Sequence, residues 1–201
     1  SNDTPVITSA SADTDSATTT AAEGSVTEDA SLTTATGTIT ASDIDGDSLT
    51  FSVASPVGTY GTLAIDAASA GAWTYTLNNS DPDTDSLSEG ESVTDTIKVT
   101  VSDGQGGSTI KDVEVTITGS NDVPVITSAS TAAEGAVTED ATQQTTATGT
   151  LTASDIDGDS LTFSVVSSTG TYGSLAIDGT SGVWTYTLNN SDPDTDSLSE
   201  G

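Results

Sequence analysis

The segment Trp73-Thr74-Tyr75-Thr76-Leu77 places a large apolar side chain at every second position, with threonine between. Successive side chains of an extended strand point to opposite faces, so this spacing describes a strand with one buried and one wet face. The same period runs outward from it, through Leu63 and Ile65, through Leu49, Phe51 and Val53, through Ile97, Val99 and Val101, and through Val113, Val115 and Ile117. Val, Ile, Thr, Tyr and Trp suit a pleated, half-buried surface. Turn formers separate the runs: Asp45-Gly46-Asp47, Asn79-Ser80-Asp81-Pro82 and Asp103-Gly104-Gln105-Gly106-Gly107. No stretch carries a convincing helical period. About seven short strands in roughly 110 residues predict an all-β fold of the immunoglobulin-like Greek-key sandwich type.

The fold is expected twice. Ala41 to Val53 recurs unchanged as Ala153 to Val165, and Trp73 to Gly90 recurs unchanged as Trp184 to Gly201. A spacing of 111 residues for Trp73 and Trp184, and of 112 for Asp43 and Asp155, is a whole domain rather than a solenoid unit. The join falls at Gly119-Ser-Asn-Asp-Val-Pro-Val-Ile126, whose counterpart Asn2-Asp-Thr-Pro-Val-Ile7 opens the chain. Residues 1–119 form the first repeat and 120–201 the second. The proline stiffens the join and marks the start of a strand. Here the spacing is 119, so the first repeat carries eight extra residues, placed in the polar stretch Asp13 to Thr20. The second repeat stops at the equivalent of Gly90. It is expected to be incomplete, without its last two strands, the counterparts of Val93–Val101 and Thr109–Ile117.

Composition narrows the function. The 201 residues hold two basic side chains, Lys98 and Lys111, against 31 acids, for a net charge of −29. Nucleic acid is excluded as a partner because phosphate recognition needs a basic face, and anionic lipid is disfavoured. No apolar run is long enough to span a bilayer, so direct membrane insertion is not expected. The chain reads as an excerpt, and missing targeting signals carry little weight. Hydrophobic content of 32% is low and would suit disorder, but the alternation argues for a fold. Cysteine and histidine are absent, as is arginine. Disulfides, thiol chemistry and the usual general base are ruled out, and any metal site must be built of oxygen, which favours a hard cation such as calcium. An enzyme such as a paired-carboxylate glycosidase is a further reading, and a repeated sandwich without His, Cys or Arg makes it a poor candidate. The expectation is that the chain is not an enzyme.

The acids cluster. Asp43-x-Asp45-Gly46-Asp47, repeated as Asp155, Asp157 and Asp159, sets three carboxylates in five residues. Calcium takes about six to eight oxygens at about 2.3–2.6 Å, so the triplet needs help. It is not an EF-hand loop, because the closing acid is missing and strands flank it. The plain alternative is a solvated hairpin turn. Further acids stand at Glu89-Gly-Glu91, at Asp103 and at Asn121-Asp122. Asp81-Pro-Asp83-Thr-Asp85 and its copy Asp192, Asp194 and Asp196 read as solvated loops in preference to another calcium site. Trp73, Tyr75, Trp184 and Tyr186 read as core in preference to a carbohydrate platform. Asn78-Asn79-Ser80 matches a glycosylation pattern that a Ser-rich chain produces by chance.

These motifs resemble a known family. Thr40 to Val53 is similar to the Asp-x-Asp strand opening of cadherin repeats, Leu87-Ser-Glu89 to their Leu-Asp-Arg-Glu element, and Asn121-Asp122-x-Pro124 to a shortened cadherin linker. Thr-Ala-Thr-Gly-Thr, Gly-x-Tyr-Gly-x-Leu, Trp-Thr-Tyr and Val-Ser-Asp-Gly-x-Gly-Gly extend the resemblance, over nearly the whole chain, to the VCBS and cadherin-like tandem domains of large RTX-type bacterial adhesins exported by type I secretion. The glycine-rich nonapeptide repeats of such adhesins are not present. The resemblance implies calcium-rigidified extender domains at the bacterial cell surface, with neighbouring repeats of the same chain as partners. A module that binds glycans or a second copy of itself is the alternative. By resemblance, one calcium site draws Glu89, Glu91, Asn121, Asp122, Asp155 and Asp157, with Glu28 or Glu23 completing it and Asp159 beside them. A matching site draws Asn2, Asp3, Asp43, Asp45, Asp47 and Asp103. Two like charges about 6 Å apart repel by about 0.7 kcal/mol in water and about 3 at an effective dielectric of 20. A bound dication reverses that sign.

Overall fold

The computed structural model describes residues 1–11, 21–66, 71–140 and 145–198. The expected insertion at Asp13 to Thr20 lies outside the described residues. Contacts divide the chain into two units, Ser1–Asp122 and Val123–Gly201.

The first unit is a two-sheet sandwich. Strands β1 (Val6–Ser11), β3 (Thr34–Ser42), β6 (Ala72–Leu77) and β5 (Gly61–Asp66) form one sheet in the order β1-β3-β6-β5. Strands β2 (Ala21–Thr27), β8 (Ser108–Thr118), β7 (Ser92–Ser102) and β4 (Thr50–Val53) form the other in the order β2-β8-β7-β4. All pairs are antiparallel except β2 with β8. The alternation read from the sequence sets the inner faces: Trp73, Tyr75, Leu77 and Leu63 from one sheet meet Phe51, Ile97, Val99, Val101, Val113, Val115 and Ile117 from the other, all buried. Each such side chain contributes about 1.5–3 kcal/mol by leaving water. The β7–β8 hairpin alone supplies six of them, enough to equal the whole stability margin of a domain, about 5–15 kcal/mol. One short helix, α1 (Pro82–Asp85), occupies part of the stretch expected to be loop, started by Asp81, whose carboxylate accepts the Asp83 N–H at 3.0 Å.

An acidic side chain, Asp95 on β7, sits inside this core, 4% exposed. Its Oδ1 accepts the Thr59 N–H at 2.8 Å, and its Oδ2 accepts the Tyr60 N–H at 3.1 Å and the Tyr75 hydroxyl at 2.6 Å. Gly58 is required there, because a Cβ on it would collide with the Asp95 carboxylate. Burial, followed by the bond to Asp95, pushes the Tyr75 phenol well above its usual range.

The second unit has β10 (Thr146–Thr150), β13 (Val183–Leu188) and β12 (Gly173–Ile177) in one sheet, and a small pair of β9 (Val125–Ile126) with β11 (Ala153–Ser154). A single 3-10 turn covers Ser130–Ala133. The identical sequence Thr-Phe-Ser-Val is strand β4 at residues 50–53 and no strand at 162–165. The difference is its partner: β4 bonds to β7, and the second unit has no counterpart of β7 among its described residues. The same holds for β2, which bonds to β8, while its match Ala132–Thr138 forms no strand. Phe163, Leu175 and Tyr186 are only half-buried where Phe51, Leu63 and Tyr75 are buried.

Two outcomes follow from this packing. Asp95→Ala strips a buried acceptor from three donors and lowers first-unit stability by about 3 kcal/mol, read as a lower denaturant midpoint at unchanged slope. Residues 120–201 alone unfold with low cooperativity by circular dichroism, and a melt as sharp as that of residues 1–119 refutes this.

Candidate functional site

Strand β3 starts six residues after Glu28 and ends one before Asp43. At about 3.3 Å per residue its nine residues separate two acidic groups by about 30 Å. Strand β8 likewise runs from the loop after Asp103 toward Asp122.

At one end, Asp43, Asp45 and Asp47 each offer an oxygen within 4.8 Å of the others. Oxygens on opposite sides of a calcium ion lie about 4.8 Å apart, so the three can share one ion. Gly46 makes the turn possible with φ +81, and the Asp45 N–H donates to Asp43 Oδ1 at 2.9 Å. The chain start is tied in: the Asp3 N–H donates to Asp45 Oδ2 at 2.8 Å, and the Asn2 amide donates to Asp103 Oδ2 at 2.9 Å. Asp103 also accepts the Gln105 and Gly107 N–H groups at 2.7 and 2.9 Å. The Asn2 amide, then those backbone bonds, hold its carboxyl below the usual aspartate value despite its burial. Asp47 shifts the other way, raised by partial burial and by the neighbouring Asp43, Asp45 and Asp103 charges. Asp43 Oδ2 is a buried oxygen with no hydrogen-bond partner. An all-oxygen set with a spare buried carboxylate oxygen fits a hard cation.

At the other end, Glu28, Asp85 and Asp122 form a second group of the same compactness. Glu28 is 1% exposed, and its Oε2 accepts the Ser120 N–H at 3.1 Å. A carboxylate taken this far from water needs compensation by donors or by a cation. The second unit has two such groups of its own: Asp155, Asp157 and Asp159, which repeat Asp43, Asp45 and Asp47, and Glu139, Asp140 and Asp196, which keeps the counterparts of Glu28 and Asp85 but has Asp140 as its third acid. Asp155 Oδ1 accepts the Asp157 and Asp159 N–H groups at 3.1 and 3.3 Å.

The structure thus brings Asn2, Asp3, Asp45 and Asp103 into one bonded set beside Asp43 and Asp47, and sets Glu28 with Asp122. It does not bring Glu89 or Glu91 into any three-acid group among the described residues. Glu89 is exposed, and Glu91 Oε2 accepts the Ser88 N–H at 3.3 Å. Asn121 is exposed and its amide donates to the Asp122 carbonyl at 2.6 Å. Glu23 is exposed on β2, in register with Glu114. The residue that sequence reasoning set aside is Asp85, at the end of α1. Its signal was available: Glu28 and Asp85 recur together as Glu139 and Asp196 at one common spacing of 111.

A family model for the bacterial cadherin-like domain matches residues 2–119 and again 121–199. The chain belongs to that family. Comparison with curated proteins finds no match. Among solved structures the chain is similar to mouse cadherin-23 EC22-24, with 18% identity, a TM-score of 0.49, and 94% of this chain and 56% of that one covered. It is similar to human CDH23 EC21-23, with 14% identity, a TM-score of 0.45, and coverage of 95% and 55%. It is also similar to the protocadherin gammaB7 EC3-6 cis-dimer, with 14% identity, a TM-score of 0.45, and coverage of 93% and 40%. The chain spans little more than half the length of the cadherin-23 chains it matches. The family assignment rests on the two domain matches and on the β-sandwich. Cadherin-like domains are extracellular adhesion-type repeats that generally bind calcium, and theirs is a structural rather than an enzymatic family. No helix of the described residues is long and apolar enough to cross a membrane.

Carboxyl NMR titration without divalent ions checks the electrostatics of this cadherin-like repeat. Asp47 titrates above 3.8 and Asp103 below it. The raised Asp47 weakens the fold at neutral pH, a cost relieved as pH falls through its native value toward 3.8. The lowered Asp103 contributes stability above 3.8 that is lost as pH falls through its native value. Added calcium moves the Asp47 midpoint down.

Proposed function

We propose that this chain is a calcium-stiffened extender segment of a bacterial surface adhesin, holding a distal adhesive part away from the cell for attachment and biofilm growth. The observation that carries the reading is the pair of oxygen clusters beyond opposite ends of β3, each compact enough for one ion, the first repeated whole in the second unit and the second repeated there in two of its three acids. Asp43, Asp45 and Asp47, backed by Asn2, Asp3 and Asp103, would hold calcium at one end, and Glu28, Asp85 and Asp122 at the other. Glu89, Glu91 and Asn121 stay in the proposal as ligands recruited on binding. Asp155, Asp157 and Asp159 would serve the second repeat as Asp43, Asp45 and Asp47 serve the first. An ion neutralises several of the repelling carboxylates and ties together the loops that carry them. Repeated along a string of domains, that resists bending. Export by type I secretion and kinship with VCBS repeats belong to the same proposal and rest on motif resemblance. A glycan-binding module finds less support, because Trp73 and Tyr75 are buried in the core.

Extracellular calcium modules bind at about 0.1–1 mM. At a hundredfold excess over that constant, one site stabilises the fold by about 2.7 kcal/mol. Calorimetric titration with parallel small-angle scattering is expected to show calcium raising the melting temperature and increasing the radius of gyration, both reversed by EDTA. Asp45→Asn and Asp85→Asn each remove part of the heat, while the exposed Asp83→Asn does not. A melting temperature and radius of gyration that ignore EDTA refute the reading.

A further inference from the structure

Repeats strung on one chain pass any pull through their two ends, so the strands next to those ends decide how a repeat resists it. In the first repeat β2 and β8 form the one parallel pairing among the described residues. Their register runs from Ala21 opposite Asp112 to Thr27 opposite Thr118, seven pairs in all. Tension from the chain start reaches β2 at Ala21, and tension from the following repeat reaches β8 at Thr118. Those two points lie at opposite ends of the ladder, about 20 Å apart at about 3.3 Å per residue. The strands are therefore drawn past one another lengthwise, and the evenly spaced bonds of a parallel ladder share the load. Antiparallel terminal strands under the same pull would open one bond at a time. The ladder is also firmly seated. Ala22 and Val26 are buried, and Gly24 between them lets the backbone close on the Trp73 ring, where a Cβ would lie 3.0 Å from Cη2. Past Thr27, the Glu28 N–H donates to the Thr118 carbonyl at 2.9 Å, and Glu28 Oε2 accepts the Ser120 N–H at 3.1 Å. Strand β1 has the weaker hold, meeting β3 over five pairs with a register shift between Ile7 and Ser9.

We propose that the β2–β8 ladder is a tension clamp, so that the repeat bears load through this one pair of strands. Under a rising pull β1 leaves its sheet first and frees the 20 residues ahead of Ala21, at most about 70 Å of chain at about 3.5 Å per residue. The clamp then holds until its bonds shear together, after which the remainder of the unit, up to Asp122, unravels. Calcium at the proposed Glu28, Asp85 and Asp122 site would tie the residue after β2 to the segment after β8 and add to the strength. That increment rests on the proposed function, whereas the clamp itself does not.

The test is single-molecule pulling on the full 201-residue chain. Cysteine is absent from the sequence, so introduced pairs give unique attachment points. Ser1→Cys with Val123→Cys loads the first repeat from end to end. Ala30→Cys with Val123→Cys loads the ladder from one end only, since both positions follow the paired strands; all three residues are exposed. The first geometry is expected to show a small early step and then the main rupture. The second is expected to rupture at a force lower by about twofold or more, because the seven paired positions then open in turn. Both results are expected in EDTA, and added calcium is expected to raise the force of the first geometry further. Equal rupture forces in the two directions overturn the proposal. So does a main rupture that coincides with release of the first 20 residues, which moves the strength to β1. A directional contrast seen only with calcium also overturns it, because the strength then lies in the ion. A contrast that persists in EDTA while calcium changes nothing supports the clamp and counts against the calcium reading alone.

Discussion

The β7–β8 hairpin is the piece on which the rest of a repeat depends. It covers the apolar face of the opposite sheet, and it presents the two edges on which β2 and β4 form. The tetrapeptide Thr-Phe-Ser-Val makes the point, because it has one sequence and two conformations within a single chain. Strand propensity is the same at both places. What differs is whether a neighbour offers N–H and C=O groups in register, and whether the phenylalanine has an apolar surface to lie against.

The acids obey a related logic of partners. A chain with a net charge of −29 folds only if its carboxylates stay in water, find donors or share a cation. The first two are seen directly, and the third is the one proposed for the clustered acids. Asp83 and Glu89 are solvated. Asp95 and Asp103 are satisfied by backbone N–H groups and by an aromatic hydroxyl or an amide. The clusters around Asp43 and Glu28 gather oxygens faster than donors, at positions fixed by the lengths of β3 and β8. Solvation and donor bonds leave the sandwich as it is, whereas under the proposed function the clustered set would make its ends respond to an ion.

Much of this was legible in the residues alone. Period two located β4 to β8 and their inward faces, and the turn chemistry of Asp45-Gly46-Asp47 placed a tight acidic loop at the end of a strand. Trp73 and Tyr75 read correctly as core. What the linear pattern hid was long-range placement. Glu28 and Asp85 are 57 positions apart and meet through a one-turn helix too short to leave a period of its own. Asp95 was invisible for the opposite reason: in an alternating strand it looks like a polar interruption, and only the turn at Gly58 to Gly61 shows why a carboxylate belongs inside.

That buried carboxylate has a consequence for how the strands find their alignment. Sliding β7 by one residue would turn Asp95 to the outside and aim Thr94 or Thr96 at the turn, and sliding by two would drive Val93 or Ile97 into a pocket of polar hydrogens. Valine and isoleucine are nearly interchangeable along this strand, so oily contact by itself distinguishes such frames poorly. A single negative charge amid them acts as an index mark, trading some solvation for one unambiguous way to zip the two sheets together.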